Sequence, residues 1–193
     1  NMMAITEYDH AAGRRERLKG ELTQLVGQKE KLIDLVSEIK KRKKDRFYEV
    51  YNEINGHFRE VYTALSGGGA AEMVPEDEED PFAEGLIIRA HPPGKRTQRL
   101  EALSGGAKSL VALAFIFALQ KFDPSPFYVL DEIDMYLDGV NAELAAKMIR
   151  GNSQEAQFLV TSLRRATLKE ASHLYGVTMQ TSGISKVVGQ VNI

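Results

Sequence analysis

Residues 103–109 read LSGGAKS, and they open the stretch that decides the fold of this chain. A run of apolar residues follows at 110–119, and the stretch continues to residues 127–132, which read FYVLDE. The apolar run has no polar side, so it predicts a helix buried against a sheet rather than one lying on a surface. The second pattern predicts a short strand that ends in two adjacent carboxylates, Asp131 and Glu132.

The start of the predicted helix is suited to hold a phosphate group. Ser104, Gly105 and Gly106 lie where backbone N–H groups can approach an anion closely, with the positive end of the helix dipole behind them. An ordinary N-cap and loop is the alternative, and it is the more frequent meaning of a short glycine motif that stands alone. Asp131 and Glu132 have a similar alternative as a solvated turn, although side chains of opposite direction suit a metal ion and a water.

Taken together and in this order, the two motifs resemble the C-terminal half of an ATP-binding-cassette (ABC) ATPase head. The helix start resembles the ABC signature motif, Asp131 and Glu132 resemble a Walker B pair, and Leu137-Asp138 resembles the D-loop. Flanking residues narrow the resemblance to the structural-maintenance-of-chromosomes (SMC) family. They are SPFYVLDEID at 125–134, PPGK at 92–95, FLVTSLR at 158–164 and GISKV at 183–187. One position departs from the family pattern: Ala107 stands where Glu is common.

The resemblance implies an ATPase that binds ATP and Mg²⁺. It implies that Asp131 orients the Mg²⁺ ion through its water shell and that Glu132 is the catalytic residue acting on the attacking water. A nucleotide held by a second head would be bound by five residues of this chain. They are Ser104, Gly105 and Gly106, with Lys108 as a further contact and Asp138 as a link between the two sites.

A phosphate loop of the form G-x-x-x-x-G-K-[ST] does not occur in the sequence. Lys108-Ser109 imitates its last two residues, but Ala102 and Ala107 stand where the glycines would be. The chain alone should therefore bind ATP weakly or not at all. The resemblance implies that the phosphate loop lies in an N-terminal half of the same protein. The further partners that it implies are a second SMC head, a kleisin subunit and DNA.

The sequence before the motifs predicts a long helix from Arg14 to about Leu65. Its apolar residues alternate four and three positions apart, with one polar interruption at Lys29, which is typical of a coiled coil whose partner lies outside this chain. This seam consists of Leu18, Leu22, Leu25, Leu32, Val36 and Ile39. The alternative is a solvated helix that packs on its own domain. After Lys40 the seam resumes in a new phase at Phe47, which indicates a change of neighbour. The basic run at 40–44 is either a solvated face or a DNA contact.

Composition sets broad limits on the class of protein. The chain has 193 residues with 43% hydrophobic content, 25 basic and 27 acidic residues and a net charge of −2, so it can bury one sizeable core and has no general attraction for nucleic acid. It has no Cys, which excludes a disulfide framework and a thiolate metal site. We expect a cytoplasmic protein without a membrane span, and the start at Asn1 suggests a piece of a longer polypeptide.

The predicted fold is α/β, the C-terminal lobe of an ABC-type ATPase head with a mostly parallel sheet, preceded by a coiled-coil helix. Residues 1–65 would form the arm and neck, and residues 66–193 the half-head. Predicted strands lie at 71–74, 85–91, 127–131, 158–161, 174–179 and 186–191, the last two as a hairpin, with short helices at 142–149 and 166–172. The leading function is ATP hydrolysis that drives DNA loading and chromosome condensation or segregation. The alternatives are a DNA-repair ATPase of the same superfamily and a non-catalytic coiled-coil scaffold.

Overall fold

The computed structural model describes residues 2–192, which form one long first helix followed by shorter helices and strands. The α-helices are α1 (Met2–Leu65), α2 (Gly105–Phe122), α3 (Gly139–Asn152) and α4 (Arg165–Glu170). The strands are β1 (Ala70–Pro75), β2 (Leu86–His91), β3 (Gln98–Arg99), β4 (Phe127–Asp131), β5 (Gln157–Thr161), β6 (His173–Met179) and β7 (Ser185–Asn192). A short 3₁₀ turn, Leu100–Ala102, leads into the segment before α2.

The strands of the described chain fall into three separate sheets. β1, β2 and β3 form an antiparallel sheet, β4 and β5 form a parallel pair, and β6 and β7 form an antiparallel hairpin. The prediction of a mostly parallel sheet is therefore wrong. The connections explain this, because only β4 and β5 are joined through a helix, whereas the other neighbours are joined by short loops that favour antiparallel pairing.

The chain divides into two compact units, residues 1–49 and residues 50–193. In the first unit α1 exposes the whole predicted coiled-coil seam, with Leu22 62% exposed and Leu32 62% exposed. α1 also begins twelve residues earlier than the predicted start at Arg14. The assignment of residues 1–65 to an arm and neck and of residues 66–193 to a half-head stays a prediction.

The core of the second unit is built around α2 and the last turns of α1. Phe58, Tyr62 and Leu65 of α1 are fully buried together with Val111 and Phe117 of α2. α2 is 18 residues long and, among the described residues, it alone has the length and composition to cross a membrane. Because its buried side chains belong to the core cluster, α2 is a core helix.

An amide clamp joins α1 to β1 in the second unit. The buried side chain of Asn55 donates from Nδ2 to the carbonyl of Met73 at 3.1 Å and accepts from its N–H at 2.9 Å. The hydroxyl of Tyr51 donates to the same carbonyl at 2.5 Å. The clamp satisfies the backbone polar groups of Met73, which would otherwise be buried without partners.

The parallel pair β4–β5 carries the predicted carboxylates at its end. Its inner face packs on the core through Leu130, and the rings of Tyr128 and Phe158 stack with centroids 5.1 Å apart. Its outer face is apolar and exposed, with Phe127 58% and Val129 67% exposed. Parallel strands are normally covered on both faces, so this exposed face is unusual for such a pair.

Candidate functional site

α2 begins in a way that leaves its first backbone donors available. Ser104 is the N-cap residue in an extended conformation, yet its side chain makes no capping hydrogen bond and is exposed to solvent. The first N–H groups of a helix have no acceptor within the helix, and in α2 the side chain of Ser104 does not supply one. Gly105 is exposed as well, and a Cβ atom at that position would meet nothing within 4 Å. The predicted anion-binding site at the start of α2 is therefore accessible to solvent.

Gly106 has a different role, which depends on close packing. A Cβ atom at Gly106 would lie 2.7 Å from the backbone carbonyl oxygen of Tyr136, which is closer than real Cβ contacts allow. The glycine therefore lets the first turn of α2 touch the segment that follows β4. The structure in this way brings the predicted signature motif against the residues between Glu132 and Asp138.

Asp131 is the last residue of β4 and lies beside Thr161, the last residue of β5. The hydroxyl of Thr161 donates to Oδ1 of Asp131 in a short hydrogen bond. Parallel pairing causes this contact, because it places the carboxyl ends of both strands at one edge of the sheet. Asp131 is exposed, so its carboxylate is oriented but still accessible.

Glu132 has a backbone conformation that is rare for its residue type. Its φ angle is +49°, and it is the only non-glycine residue with positive φ in the described chain. Its N–H donates to both the carbonyl oxygen and the hydroxyl oxygen of Thr161, each at 3.1 Å. The left-handed conformation costs a residue with a Cβ roughly 1–2 kcal/mol. Such strain occurs often where function requires an exact side-chain direction, and the side chain of Glu132 is exposed.

A polar network joins the residues that follow these two carboxylates to the residues that follow β5. Asp134 is only 4% exposed, and its Oδ2 accepts from the hydroxyl of Ser162 at 2.5 Å and from the hydroxyl of Thr167. The guanidinium of Arg164 donates to the carbonyl of Met135 at 2.9 Å. Residues 162–167, which follow β5, therefore hold the loop 132–137 through the side chains of Ser162, Arg164 and Thr167. We call this set of contacts the Asp134 network.

Asp138 is the N-cap of α3. Its Oδ1 accepts from the backbone N–H of Asn141 at 2.8 Å, and its Oδ2 accepts from the side-chain amide of the same residue at 2.9 Å. Both carboxylate oxygens thus have partners inside the chain. This capping role is separate from the predicted role of Asp138 as a link between two nucleotide sites, which stays a prediction. Lys108, the last of the predicted phosphate contacts, is exposed on the first turn of α2.

The oxygen ligands at the end of β4 fit a water-mediated magnesium ion. Mg²⁺ in nucleotide sites commonly keeps several waters and binds one or two carboxylates together with substrate phosphates. Asp131, with the hydroxyl of Thr161 beside it, supplies ligands of this kind. Within residues 2–192, no group of three or more His, Asp or Glu side chains is placed to enclose a metal ion. A magnesium ion at Asp131 would therefore need further ligands, such as waters or the phosphates of a substrate.

Four residues of this region were not identified from the sequence as site residues: Asp134, Thr161, Arg164 and Thr167. The sequence did contain an indication of three of them, because hydroxyl and basic side chains are frequent from the last residue of β5 onward, where residues 161–167 read TSLRRAT. The sequence predicted parallel strands but not that β4 pairs directly with β5, and this pairing makes the two strand ends neighbours. Ser162 faces Asp134, and Leu163 is 92% exposed.

Comparison with known proteins gives a consistent result. The family model described as "RecF/RecN/SMC N terminal domain" matches residues 8–186. The chromosome partition protein Smc of Gloeobacter violaceus is 45% identical over 189 residues, which cover 98% of this chain and 16% of that protein. The chain thus spans about one sixth of the length of the curated relatives that it matches.

Two solved structures show the same similarity at the level of the fold. An Smc head domain with an extended coiled coil from Pyrococcus furiosus, bound to the C-terminal domain of ScpA, superposes with a TM-score of 0.81 at 44% identity. The match covers 93% of this chain and 44% of that one. A chain solved in work on ATP-driven dimerization and DNA-stimulated activation of SMC ATPases superposes with a TM-score of 0.71 at 44% identity. There the match covers 77% of this chain and 89% of the other.

Proposed function

This chain belongs to the RecF/RecN/SMC family, and from that premise we propose that it is the C-terminal part of the ATPase head of a chromosome-organising SMC protein. It would hydrolyse ATP between two engaged heads to drive DNA loading and chromosome condensation or segregation. The description of the family model names an N terminal domain, so the placement of the chain within the full protein is part of the proposal. The lack of a phosphate-loop motif in the sequence favours the C-terminal placement.

The observation that carries the proposal is the conformation of Glu132. An exposed carboxylate is held in the left-handed region at the end of a strand, and Thr161 fixes its backbone from the neighbouring strand. A solvated turn would more simply use glycine or asparagine at this position. The cost of the conformation is explained if the side chain must point in one direction, toward a water that attacks a phosphate.

The residues would divide the chemistry of phosphoryl transfer as follows. Asp131 would hold Mg²⁺ through water, and the ion would neutralise charge that develops on the phosphate oxygens. Glu132 would orient the attacking water and accept its proton. The open N–H groups after Ser104, with the exposed ammonium group of Lys108, would bind the γ-phosphate of a nucleotide held by a second head. The ATP would thus be shared between two copies of the site.

The outer face of β4–β5 supports a further partner, the N-terminal half of the same protein. The face is apolar and exposed, and parallel strands are ordinarily covered on both sides. A segment that carries the phosphate loop would cover Phe127, Val129 and Leu159 and complete the nucleotide site. Since one related head is bound to ScpA, we also propose a kleisin subunit as a partner, with DNA as the substrate that the assembly organises.

The test is a Glu132→Gln substitution in the head completed by co-expression with a phosphate-loop-bearing N-terminal segment. Glutamine keeps the shape of the side chain and cannot accept the proton, so we expect the hydrolysis rate to fall by about 100-fold or more. ATP-dependent dimers, measured by size-exclusion chromatography with light scattering, should persist. Glu143→Gln on the exposed face of α3 is the matched control and should hydrolyse ATP normally.

Two results would contradict the proposal. Full turnover by the Glu132→Gln head would remove this residue from catalysis. Failure of the unsubstituted chain to associate with any phosphate-loop-bearing segment would contradict its placement as the C-terminal part of the head.

A further inference from the structure

We infer that Asp134 is a positioning residue for hydrolysis, which fixes the loop 132–137 through the hydroxyl groups of Ser162 and Thr167. The inference rests on the proposed function and adds a residue to it. Asp134 touches neither nucleotide nor metal in this scheme. It acts through the loop that carries Glu132.

The burial of Asp134 is the first argument. A carboxylate that is 4% exposed loses most of its hydration, so it must be compensated by hydrogen bonds within the protein. Both donors to its Oδ2 come from one segment: Ser162 donates at 2.5 Å, and Thr167 donates from the first turn of α4. Hydrogen bonds to a charged acceptor contribute more than bonds between neutral groups. This side chain therefore joins two segments that are distant in sequence.

The position of Asp134 within its loop is the second argument. The N–H of Met135 donates to the carbonyl of Glu132 at 3.1 Å, and the N–H of Leu137 donates to the carbonyl of Asp134 at 3.2 Å. Asp134 thus lies between two successive turns, with the strained backbone of Glu132 before it and the contact of Tyr136 with Gly106 after it. If the side chain of Asp134 were released, both turns would be free to relax.

The partner segment gives the third argument. Ser162 directly follows β5, and its hydroxyl donates to Asp134 and also accepts from the N–H of Arg164 at 3.0 Å. The guanidinium of Arg164 holds the carbonyl of Met135. The segment after β5 therefore contacts the loop 132–137 at two points, Asp134 and Met135. Its polar groups orient Glu132 through the backbone, and an error of about 1 Å in such a position can lower a rate by up to about 100-fold.

The test compares Asp134→Asn, Thr167→Val and Thr167→Ser in the co-expressed, completed head. Asp134→Asn weakens the hydrogen bond between Asp134 and Thr167, and Thr167→Val removes it. We therefore expect kcat of each variant to fall about tenfold or more while KM for ATP stays within about twofold. Thr167→Ser keeps the hydroxyl and should restore most of the wild-type kcat. The double variant Asp134→Asn/Thr167→Val should be little slower than Asp134→Asn alone, because the bond that Thr167→Val removes is one that Asp134→Asn already weakens. Asp123→Asn, an exposed aspartate at the end of α2, is the control.

A second readout does not depend on activity. Amide hydrogen exchange of the peptide that covers residues 132–137 should become faster in Asp134→Asn and Thr167→Val, with the exchange of α2 unchanged. Wild-type kcat in folded Asp134→Asn, or equal losses in Thr167→Val and Thr167→Ser, would overturn the inference. If the unsubstituted head hydrolyses no ATP, the proposed function itself fails and the positioning role falls with it. If it does hydrolyse ATP and only the variants disagree, the inference alone fails.

Discussion

The starts of α2 and α3 differ in how their first backbone donors are satisfied. At α3 the carboxylate of Asp138 caps the helix and binds the N–H of Asn141 at 2.8 Å. At α2 the N-cap residue is Ser104, a good capping residue by type, and its side chain makes no capping bond. Both starts adjoin the same loop, since Gly106 touches Tyr136 and α3 begins three residues after Tyr136.

The difference shows that one helix start is closed by the chain itself and the other is left open. A closed start contributes stability and offers nothing to a ligand. An open start contributes less to stability and keeps its N–H groups and the positive end of its dipole for an anion. We therefore expect substitutions at Asp138 to act mainly on folding and substitutions at Ser104 to act mainly on the engagement of a second head.

The largest expected effect is that of Ser104→Arg in the completed head. A long cation would fill the open helix start, so ATP-dependent dimers should be lost while each head still binds nucleotide. Light scattering with and without ATP measures the first quantity, and equilibrium binding of a fluorescent nucleotide measures the second. Ser125→Arg, at an exposed position before β4, is the control. Dimers that persist in Ser104→Arg would mean that the open start has no part in engagement.

Next in size is the contrast between Gly106→Ala and Gly105→Ala. A Cβ atom at Gly106 would lie 2.7 Å from the carbonyl oxygen of Tyr136, so we expect a loss of about 1–3 kcal/mol in the free energy of unfolding. At Gly105 nothing lies within 4 Å, and alanine should change stability by less than about 1 kcal/mol. Urea unfolding measures both. Equal effects at the two glycines would mean that the contact between α2 and the loop is absent in solution.

A smaller contrast compares the two cap residues directly. Asp138→Ala removes the bond to Asn141 and should lower the free energy of unfolding by about 1 kcal/mol. Ser104→Ala removes no capping bond, so we expect a change below about 0.5 kcal/mol, the usual range for exposed side chains without partners. The same urea titrations measure both variants. A larger loss for Ser104→Ala than for Asp138→Ala would reverse the comparison.

The smallest effect concerns a polar group in the core that has no partner among the described residues, the hydroxyl of Tyr62. Burial raises the pKa of Tyr62 above its ordinary value of 10.0, so the folded chain keeps the hydroxyl neutral after the unfolded chain has begun to ionise. The contribution of this group to the free energy of unfolding is fully present below pH 10, and it declines as the pH rises through the folded-state pKa. Tyr62→Phe should change stability little at pH 7 and reduce the decline above pH 10, measured by urea unfolding at several pH values.

Sequence patterns predicted the elements of this fold better than their pairing. The apolar run after Gly106 indicated a buried helix, and α2 is the centre of the core. The alternation after Leu174 predicted the hairpin β6–β7 with its turn at Gly183, which has a φ of +79°. The sheet was predicted wrongly because pairing depends on which strands meet in space. A sequence gives that information only through the lengths of the connections between strands.

The candidate site was predictable to the level of its motifs. Asp131 and Glu132 stand at the end of a strand, as the pattern FYVLDE indicated. The left-handed backbone of Glu132 and the burial of Asp134 were not predictable, because both result from contacts with residues about 30 positions later, in the segment 161–167. Short local patterns contain no information about such distant partners.

The unusual φ angle of Glu132 bears on how this position would change over evolutionary time. Glycine, asparagine or aspartate would adopt the same backbone with less strain, so random substitution in a lineage that had given up hydrolysis would tend to replace the glutamate and gain stability. A purely architectural descendant should therefore reveal itself by a small or short polar residue here. The glutamate in this chain is what continued selection for a reactive carboxylate would leave behind.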